Sequence, residues 1–447
     1  MTEVLALLVL MFGALPVALT ASRLPEAILL TPLVTSLTFA TSWLVATHLN
    51  LALHLGGLFV LVAVNLLVLV LPTSRGALLD NLKARTLPHE WGVLMLTVTV
   101  FGLLSIRTAP PTAWDARYIW LARGQWYLND AERVVELLST DRVWAHPGYP
   151  PLVPATLSTL WRLLPNADPT LGITAITLLS VSTLGLAALL LARLVNAHQN
   201  SGHALSTSAT VLVVGSLGAD GLINDGYVDA LLAGLLLAAV VSLVNPRRGE
   251  VPTLLVLVAC MALLKQEGLI FGAVLIAVSA PVARRRKVVL AAATLALVSG
   301  MWQMSLGKWG VPSTSASAGV PSRITELVNP GSRAWSVVRE LLSPAYRNDI
   351  LGLLALGAIS LVVTLLSSTP NAYLARLIAL SGSLTSVILL GGYILGDFRD
   401  EINWWFPASF SRISAFPVLA ASASLALIGV GFLNERATGT HAERSEE

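Results

Sequence analysis

The chain has 447 residues, of which only 12% are Asp, Glu, Lys or Arg and 55% are hydrophobic. An average soluble protein carries roughly 25% charged residues, so this composition excludes a soluble globular protein, a disordered chain and a fibrous protein. The net charge of +3 is too small to indicate nucleic-acid binding. What remains is a polytopic membrane protein, whose few charged residues lie in loops or at a membrane depth where charge is costly and usually functional.

Long apolar runs recur along the chain and lack the alternation of β-barrel strands, so we predict an all-α polytopic bundle. Several runs are shorter than the roughly 20 residues that a perpendicular helix needs, and we expect about 12 to 14 crossings. The run 151–165 is the one expected not to cross completely. The runs are 4–20, 26–47, 51–71, 91–106, 151–165, 169–194, 205–219, 226–244, 251–264, 268–283, 288–304, 350–367, 373–396 and 413–433.

Basic residues in short loops predict the orientation, because cytoplasmic loops are enriched in Lys and Arg. The basic clusters placed on the cytoplasmic side are Arg75 with Lys83 and Arg85, Arg247 with Arg248, and Arg284 to Lys287. Loops 107–149 and 305–349 then lie outside and are predicted to carry short amphipathic helices. Loops of this length usually carry function. The small, polar segment 312–321 is predicted to be mobile, and the tail 434–447 to be frayed and cytoplasmic.

The first outer loop contains an aromatic segment that begins at Trp114. Helical spacing places Trp114, Tyr118 and Leu121 on one face, which predicts a short helix on the outer membrane surface. Asp115 stands at the start of this helix. Its carboxylate has two interpretations that spacing leaves open, a helix cap or a general base at the membrane boundary.

The same loop closes with His146-Pro-Gly-Tyr149-Pro-Pro-Leu-Val-Pro154. The prolines predict a stiff turn into the next helix, and His146, which precedes Pro147, is expected to be extended. This segment either forms only a helix-entry turn or shapes a site around the histidine.

Taken together, these segments resemble the membrane-embedded GT-C glycosyltransferases, especially the bacterial relatives of protein O-mannosyltransferases and aminoarabinose transferases. Two features depart from that pattern: Ala116 stands where the mannosyltransferases have a second acid, and Gly148-Tyr149 separates His-Pro from Pro-Leu. The segments that carry the resemblance are Trp114 to Tyr118, His146 to Pro154, Asn224 to Asp229, Lys265 to Gly268 and Trp404 to Arg412.

The resemblance implies a GT-C-like catalytic core at 91–433, with additional N-terminal transmembrane helices at 1–90. It also implies a function in glycan biosynthesis at the cell envelope. The family transfers a sugar from a polyprenyl-phosphate donor to a hydroxyl of a glycan, lipid or protein acceptor. We therefore expect a multi-pass protein of the bacterial cytoplasmic (inner) membrane that contacts membrane lipids, binds no nucleic acid and has its active site facing outside.

The resemblance also assigns roles to individual residues. Asp115 is expected to act as general base in a displacement that inverts the anomeric centre, and Lys265 and Arg412 to hold the donor phosphate. The residues expected to line the sugar and acceptor pocket are Tyr118, His146, Tyr149, Asp229 and Glu267. No cofactor is assigned. Some relatives use a divalent metal, which stays open, since no ligand cluster stands out in this sequence.

Each of these charged residues also has a structural interpretation. In this interpretation Lys265 and Glu267 form a local ion pair at a hairpin tip. Asp229 pairs with an arginine, and Arg412 reaches from the membrane surface to water. Asp220 and Asp225 are interpreted as helix caps, and the single cysteine, Cys260, as a buried structural residue.

Two other function classes stay open beside the glycosyltransferase. One is a transporter or flippase for a lipid-linked sugar, for which we would expect internal repeats and broken helices around a midplane site. The other is a non-catalytic protein that binds the carrier lipid.

Overall fold

The computed structural model describes residues 2–51, 56–106, 113–140, 146–196, 201–218, 221–245, 250–311, 323–369, 371–396 and 401–445. Within these ranges the chain is almost entirely helical, as predicted for an all-α membrane protein. The strands of the described chain are β1 (Leu217–Gly218) and β2 (Gly221–Leu222), which form one short antiparallel pair.

The N-terminal half of the chain consists of long helices separated by a group of short ones after residue 106. Its helices are α1 (Thr2–Phe12), α2 (Leu15–Ala21), α3 (Leu24–His48), α4 (Gly56–Val70), α5 (Pro72–Lys83), α6 (Pro88–Ile106), a π-helix (Ala116–Leu121), α7 (Ala122–Trp126), α8 (Ala131–Ser139), α9 (Leu152–Trp161), α10 (Pro169–Asn196) and α11 (Ser201–Ser216).

The C-terminal half continues in the same way. Its helices are α12 (Asp229–Val244), α13 (Val251–Leu264), α14 (Gln266–Ser279), α15 (Arg285–Lys308), a 3-10 helix (Ile324–Val328), α16 (Arg333–Leu341), α17 (Arg347–Leu366), α18 (Ala372–Leu395), α19 (Ile402–Ile413) and α20 (Ala415–Ser445).

Eight helical segments of the described chain are long and apolar enough to cross a membrane. They are Thr2–Ala21, Leu24–His48, Pro88–Ile106, Pro169–Val195, Arg285–Lys308, Arg347–Leu366, Ala372–Leu395 and Ile402–Leu433. The pair α4 and α5, bent by 86°, adds a ninth if it forms one broken span. The prediction of about 12 to 14 crossings also counted shorter apolar helices, α9, α12, α13 and α14, which fall below this length.

The helix α10 lies at the centre of the bundle and is buried over most of its length. It packs against α12, α11, α6 and α3, and α3 packs in turn against α4, α9 and α13. A helix that is apolar on all sides belongs in such an interior position. The predicted additional helices of segment 1–90 are therefore packed into the bundle through α3.

A buried ion cluster ties these central helices together at one end. Arg193 of α10 forms ion pairs with Glu26 of α3 and, at 2.5 Å, with Glu90 of α6. Glu26 also accepts hydrogen bonds from Ser22 at 2.8 Å and from Thr253 of α13 at 2.9 Å. Since Glu26 and Glu90 begin their helices and Arg193 ends its own, α3 and α6 run antiparallel to α10.

The predicted cytoplasmic cluster Arg284 to Lys287 lies at the start of α15. Lys287 from this cluster is buried, and its Nζ donates to the carbonyls of Ser242 and Asn245, each at 2.7 Å. These carbonyls end α12, where the unpaired carbonyl groups of a helix favour a cation. Lys287 thus caps α12, while Arg284, Arg285 and Arg286 stay exposed.

Both long loops carry the short amphipathic helices that were predicted. In the first loop α8 buries Val134 and Leu138, and in the second α16 buries Val337 and Leu341. The second loop is shorter than its predicted range 305–349, because α15 continues to Lys308 and α17 begins at Arg347.

Two predictions about polar segments have different outcomes. The segment 312–321, predicted to be mobile, lies outside the described residues. The tail was predicted to be frayed from residue 434, but α20 continues as a helix through Ser445. Extending an existing helix costs far less than starting one, and the tail contains the helix formers Ala, Glu and Arg.

Candidate functional site

Four charged residues from distant parts of the chain meet at the end of the bundle opposite the Arg193 cluster. Arg412 Nη1 lies 2.7 Å from Asp115 Oδ2 and 3.8 Å from Asp229 Oδ2. Lys265 Nζ lies 2.8 Å from Asp229 Oδ1. We call this row the charged chain (Asp115, Arg412, Asp229 and Lys265). At most 15% of any of these side chains is exposed, so the sequence-predicted residues do come together in a largely buried place.

The local backbone explains how Lys265 and Asp229 reach each other. Lys265 adopts an extended conformation, with φ −145° and ψ 157°, between the end of α13 and the start of α14. This break turns the lysine side chain toward α12, whose first turn carries Asp229. An acidic residue is favoured in the first turn because the helix N-terminus is partially positive. Lys265 therefore pairs with Asp229, and not with Glu267 as the hairpin-tip interpretation held.

Gly226 allows the loop before α12 to approach the π-helix. Its φ is +88°, in the left-handed region that side chains other than glycine rarely adopt. A Cβ at this position would lie 2.7 Å from Ala116 Cβ. Because Ala116 follows Asp115 directly, this close approach helps to bring Asp115 beside the residues of α12.

Arg412 is held on several sides at once. Its Nε and Nη2 donate to the carbonyl of Ala408 at 3.0 and 2.7 Å. The guanidinium also lies 3.9 Å from the centroid of the Tyr227 ring, which is a cation–π contact. Arg412 is therefore fixed within the bundle, in contrast to the interpretation as an arginine reaching from the membrane surface to water.

Asp115 does not act as a helix cap. It stands at the position before the π-helix, but its side chain makes no capping hydrogen bond and accepts from Arg412. The helix is also wound differently from the prediction. Trp114 and Tyr118 share an exposed face, with ring centroids 5.3 Å apart, whereas Leu121 is buried. A π-helix has more residues per turn than an α-helix. Leu121, three positions after Tyr118, is therefore rotated away from the exposed face that Trp114 and Tyr118 share.

Tyr118 is the predicted pocket residue that the described contacts place outside the site. Tyr118 is 39% exposed, and its ring contacts Trp114 and Arg117. The buried residues of the π-helix are Ala116, Ile119, Trp120 and Leu121.

The segment from His146 to Tyr149 forms a turn before α9, as predicted, but His146 is not extended. Its φ is +45°, and its carbonyl accepts the Tyr149 N–H at 2.9 Å. The two rings stack with centroids 4.8 Å apart. The turn hydrogen bond and this stacking stabilise a backbone conformation that residues other than glycine seldom adopt.

Three side chains hold this turn in place. The Gly148 carbonyl accepts from Trp302 Nε1 at 2.9 Å and from Gln266 Nε2 at 3.4 Å. The Tyr149 carbonyl accepts from Arg123 Nη2 at 2.6 Å. Arg123 is fully buried and was missed by sequence reasoning. Its place on α7, four residues before Tyr127 to whose hydroxyl it also donates at 3.1 Å, gives a helical spacing that could have marked it.

The turn also brings two polar rings to the charged chain. Tyr149 donates its hydroxyl to Glu267 at 3.5 Å, and Lys265 Nζ lies 5.8 Å from the Tyr149 ring centroid. Burial, followed by the nearby Glu267 carboxylate, raises the pKa of Tyr149, so its hydroxyl keeps its proton. Burial lowers the pKa of His146 to about 4, although Asp115 opposes this shift. At neutral pH His146 is therefore uncharged.

A cavity of about 180 Å³ opens beside the charged chain. Its polar end is formed by Asp225, Tyr227, Asp229 and Arg412, and we call it the Tyr227 cavity. Its remaining walls are largely apolar, from α11, α12 and α20 and the segment between α11 and α12. The other lining residues are Val214, Gly215, Leu217, Ile223, Ala230, Ala233, Ser411, Ser414, Ala415 and Val418. Such a cavity suits a ligand that joins an anionic group to an apolar chain.

Asp225 belongs to this cavity, although the sequence suggested a helix cap. Its Oδ1 accepts the Tyr227 N–H at 3.0 Å, which closes an Asx turn, while the N-cap of α12 is Val228. Its companion in that interpretation, Asp220, lies outside the described residues. Cys260 is fully buried, as expected. Over the part of the chain that the structure describes, no three His, Cys, Asp or Glu side chains are grouped to hold a metal ion.

Comparison of the chain with protein-family models, curated proteins and solved structures finds no match. The functional proposal therefore depends on the geometry of the charged chain and the Tyr227 cavity.

Proposed function

We propose that the protein is a glycosyltransferase of the GT-C type, which transfers a sugar from a polyprenyl-phosphate donor to an acceptor hydroxyl at the outer face of a membrane. The observation that carries this proposal is the junction of an apolar cavity with the charged chain at one end of a membrane bundle. A polyprenyl phosphate has the matching chemistry, since an apolar chain is joined directly to an anionic head.

The donor would lie with its prenyl chain along the apolar walls of the Tyr227 cavity, between α11, α12 and α20. Its phosphate would reach Arg412, whose planar guanidinium is suited to bind phosphate oxygens. Lys265 stands behind Asp229, which links it to Arg412. The two cations can therefore oppose the negative charge that develops on the leaving phosphate.

The reaction would be a single displacement at the anomeric carbon. Asp115 removes the proton of the acceptor hydroxyl, and the acceptor oxygen forms a bond to the anomeric carbon. The bond from that carbon to the phosphate oxygen breaks, and this oxygen keeps the electron pair. In the structure Asp115 is paired with Arg412. A phosphate that binds Arg412 would compete for this pair and release Asp115 for the proton transfer.

The sugar would bind on the side of the charged chain where the His146–Tyr149 turn lies. His146 is neutral there and Tyr149 keeps its proton, so both can exchange hydrogen bonds with sugar hydroxyls. Glu267, which accepts from Tyr149, offers a further acceptor. No step in this scheme uses a metal ion.

The test uses the purified protein in micelles with a panel of polyprenyl-phosphate-linked hexoses and pentoses and a mixture of glycan, lipid and peptide acceptors that carry hydroxyl groups, and it measures free polyprenyl phosphate. Asp115→Asn keeps the size of the side chain but removes the base, so we expect turnover to fall by about 10²- to 10⁴-fold. Arg412→Lys keeps the charge but loses the planar contacts, and we expect a comparable loss. Glu132→Gln, at an exposed position of α8 in the same loop, should leave turnover unchanged.

The outcomes separate the function classes. Full turnover by Asp115→Asn would remove the base assigned here. If the wild type binds the donors and releases no polyprenyl phosphate from any of them, the protein is a transporter or a non-catalytic binder of the carrier lipid.

A further inference from the structure

Asp225 differs from the other aspartates of the site in its partners. Asp115 and Asp229 each form an ion pair with Arg412 or Lys265. Among the described residues no lysine or arginine forms an ion pair with Asp225, although its carboxyl group lines the Tyr227 cavity. One of its oxygens accepts the Tyr227 N–H, so the other oxygen is the one that can meet a ligand.

The charge balance of the site makes this carboxyl group important. Carboxyl groups outnumber cations there, and an anionic ligand adds to the excess. The carboxyl groups are Asp115, Asp225, Asp229 and Glu267, and the cations are Lys265, Arg412 and the more distant Arg123. Like charges at close range in a buried site are unfavourable. A phosphate would therefore bind best when one carboxyl group is protonated.

The surroundings of Asp225 favour the protonated form. The pKa of Asp225 is raised to about 6, chiefly by burial and also by the nearby Asp229, while the Tyr227 N–H and Arg412 act to lower it. The side chains of α11 and α20 that line the cavity beside it are uncharged. The cation that lines this cavity is Arg412 of α19. Asp115 and Asp229, by contrast, have cations within 2.8 Å.

We propose that Asp225 binds the donor phosphate as a neutral carboxylic acid, donating its O–H to a phosphate oxygen opposite Arg412. This inference rests on the proposed function, since it assumes a phosphate in the Tyr227 cavity. Asp225 and Arg412 then hold the phosphate from two sides. As the bond to the sugar breaks, the phosphate gains negative charge, and a hydrogen bond donated to an anion becomes stronger.

The experiment measures binding of citronellyl methyl phosphate to the purified full-length chain. This probe is a phosphodiester with a short isoprenoid chain and no titration of its own near neutrality. If only protonated Asp225 binds, the affinity follows the protonated fraction, and we expect binding about 20-fold weaker at about pH 7.5 than at about pH 5.5. Asp225→Asn cannot ionise and still donates a hydrogen bond, so it should bind equally well at both pH values.

A matched control and the contrary results complete the test. Asp168→Asn changes an aspartate that caps the start of α10, away from the cavity, and should keep the pH dependence of the wild type. Wild-type affinity that does not change with pH, or an Asp225→Asn variant that binds weakly at both pH values, would overturn the role of Asp225. Absence of any probe binding by the wild type at either pH would instead count against the proposed function.

Discussion

The guanidinium of Arg412 is shared between Asp115 at 2.7 Å and Asp229 at 3.8 Å, and it lies over the Tyr227 ring. These partners come from the first long loop, from α12 and from the loop before it. A single side chain therefore connects the base of the proposed reaction to the cavity of the proposed donor. A lysine could supply the charge at this position, but it could not match all of these directions at once.

Gly226 supports this arrangement from the backbone. Alanine at this position would need a positive φ, and its Cβ would meet Ala116 at 2.7 Å. We expect Gly226→Ala to lower the free energy of unfolding by about 1–3 kcal/mol. The displaced π-helix should also move Asp115 away from Arg412 and reduce sugar transfer. Thermal unfolding in micelles and the release of polyprenyl phosphate measure the two effects.

Gly300→Ala is the matched control for this substitution. Gly300 lies inside α15 and nothing surrounds the position of its missing Cβ within 4 Å, so alanine there should be neutral or slightly stabilising. If Gly226→Ala were as stable and as active as Gly300→Ala, the close approach of the two loops would not position Asp115.

At the scale of elements, the buried cluster of Arg193 with Glu26 and Glu90 joins α10 to α3 and α6. Removing only the arginine leaves two buried carboxylates without a cation. We expect Arg193→Met to lower the free energy of unfolding by about 3–5 kcal/mol. The triple variant that adds Glu26→Gln and Glu90→Gln should recover most of this loss, because no uncompensated charge remains.

The thermal midpoint in micelles distinguishes these variants. Arg133→Met serves as the control, because its ion pair with Glu136 is more than half exposed on both sides and exposed pairs contribute little. A triple variant no more stable than Arg193→Met would show that the helices depend on the ion pairs themselves and not on charge balance.

Charged residues in this chain could be predicted as site residues because they are scarce. Asp115, Asp229, Lys265 and Arg412 were each marked by a charge beside an apolar run, and the structure brings them together. Their partners could not be predicted in the same way. Lys265 has Glu267 two positions away, yet it pairs with Asp229, since the break between α13 and α14 turns it toward α12.

Other features depend on contacts that no local pattern encodes. Arg193, Glu26 and Glu90 stand near the ends of apolar runs and resemble loop charges in the sequence, although the structure buries all three. The π-helix and the positive φ of His146 are local departures stabilised by tertiary packing. The helical class could be predicted because hydrophobic runs report it directly, whereas the number of spans could not, since short apolar helices fit both a crossing and a buried core position.

At the scale of the whole molecule, the proposed function requires the charged chain to face outward, as the basic clusters predict. The buried Cys260 is the only cysteine, so a Cys260→Ala background suits single-cysteine labelling. Glu132 on α8 and Asp80 on α5 are both exposed acidic residues, and α5 lies at the predicted cytoplasmic end. In intact cells a membrane-impermeant maleimide should modify Glu132→Cys, and Asp80→Cys only after permeabilisation. The reverse pattern would put the charged chain inside and exclude transfer at the outer face.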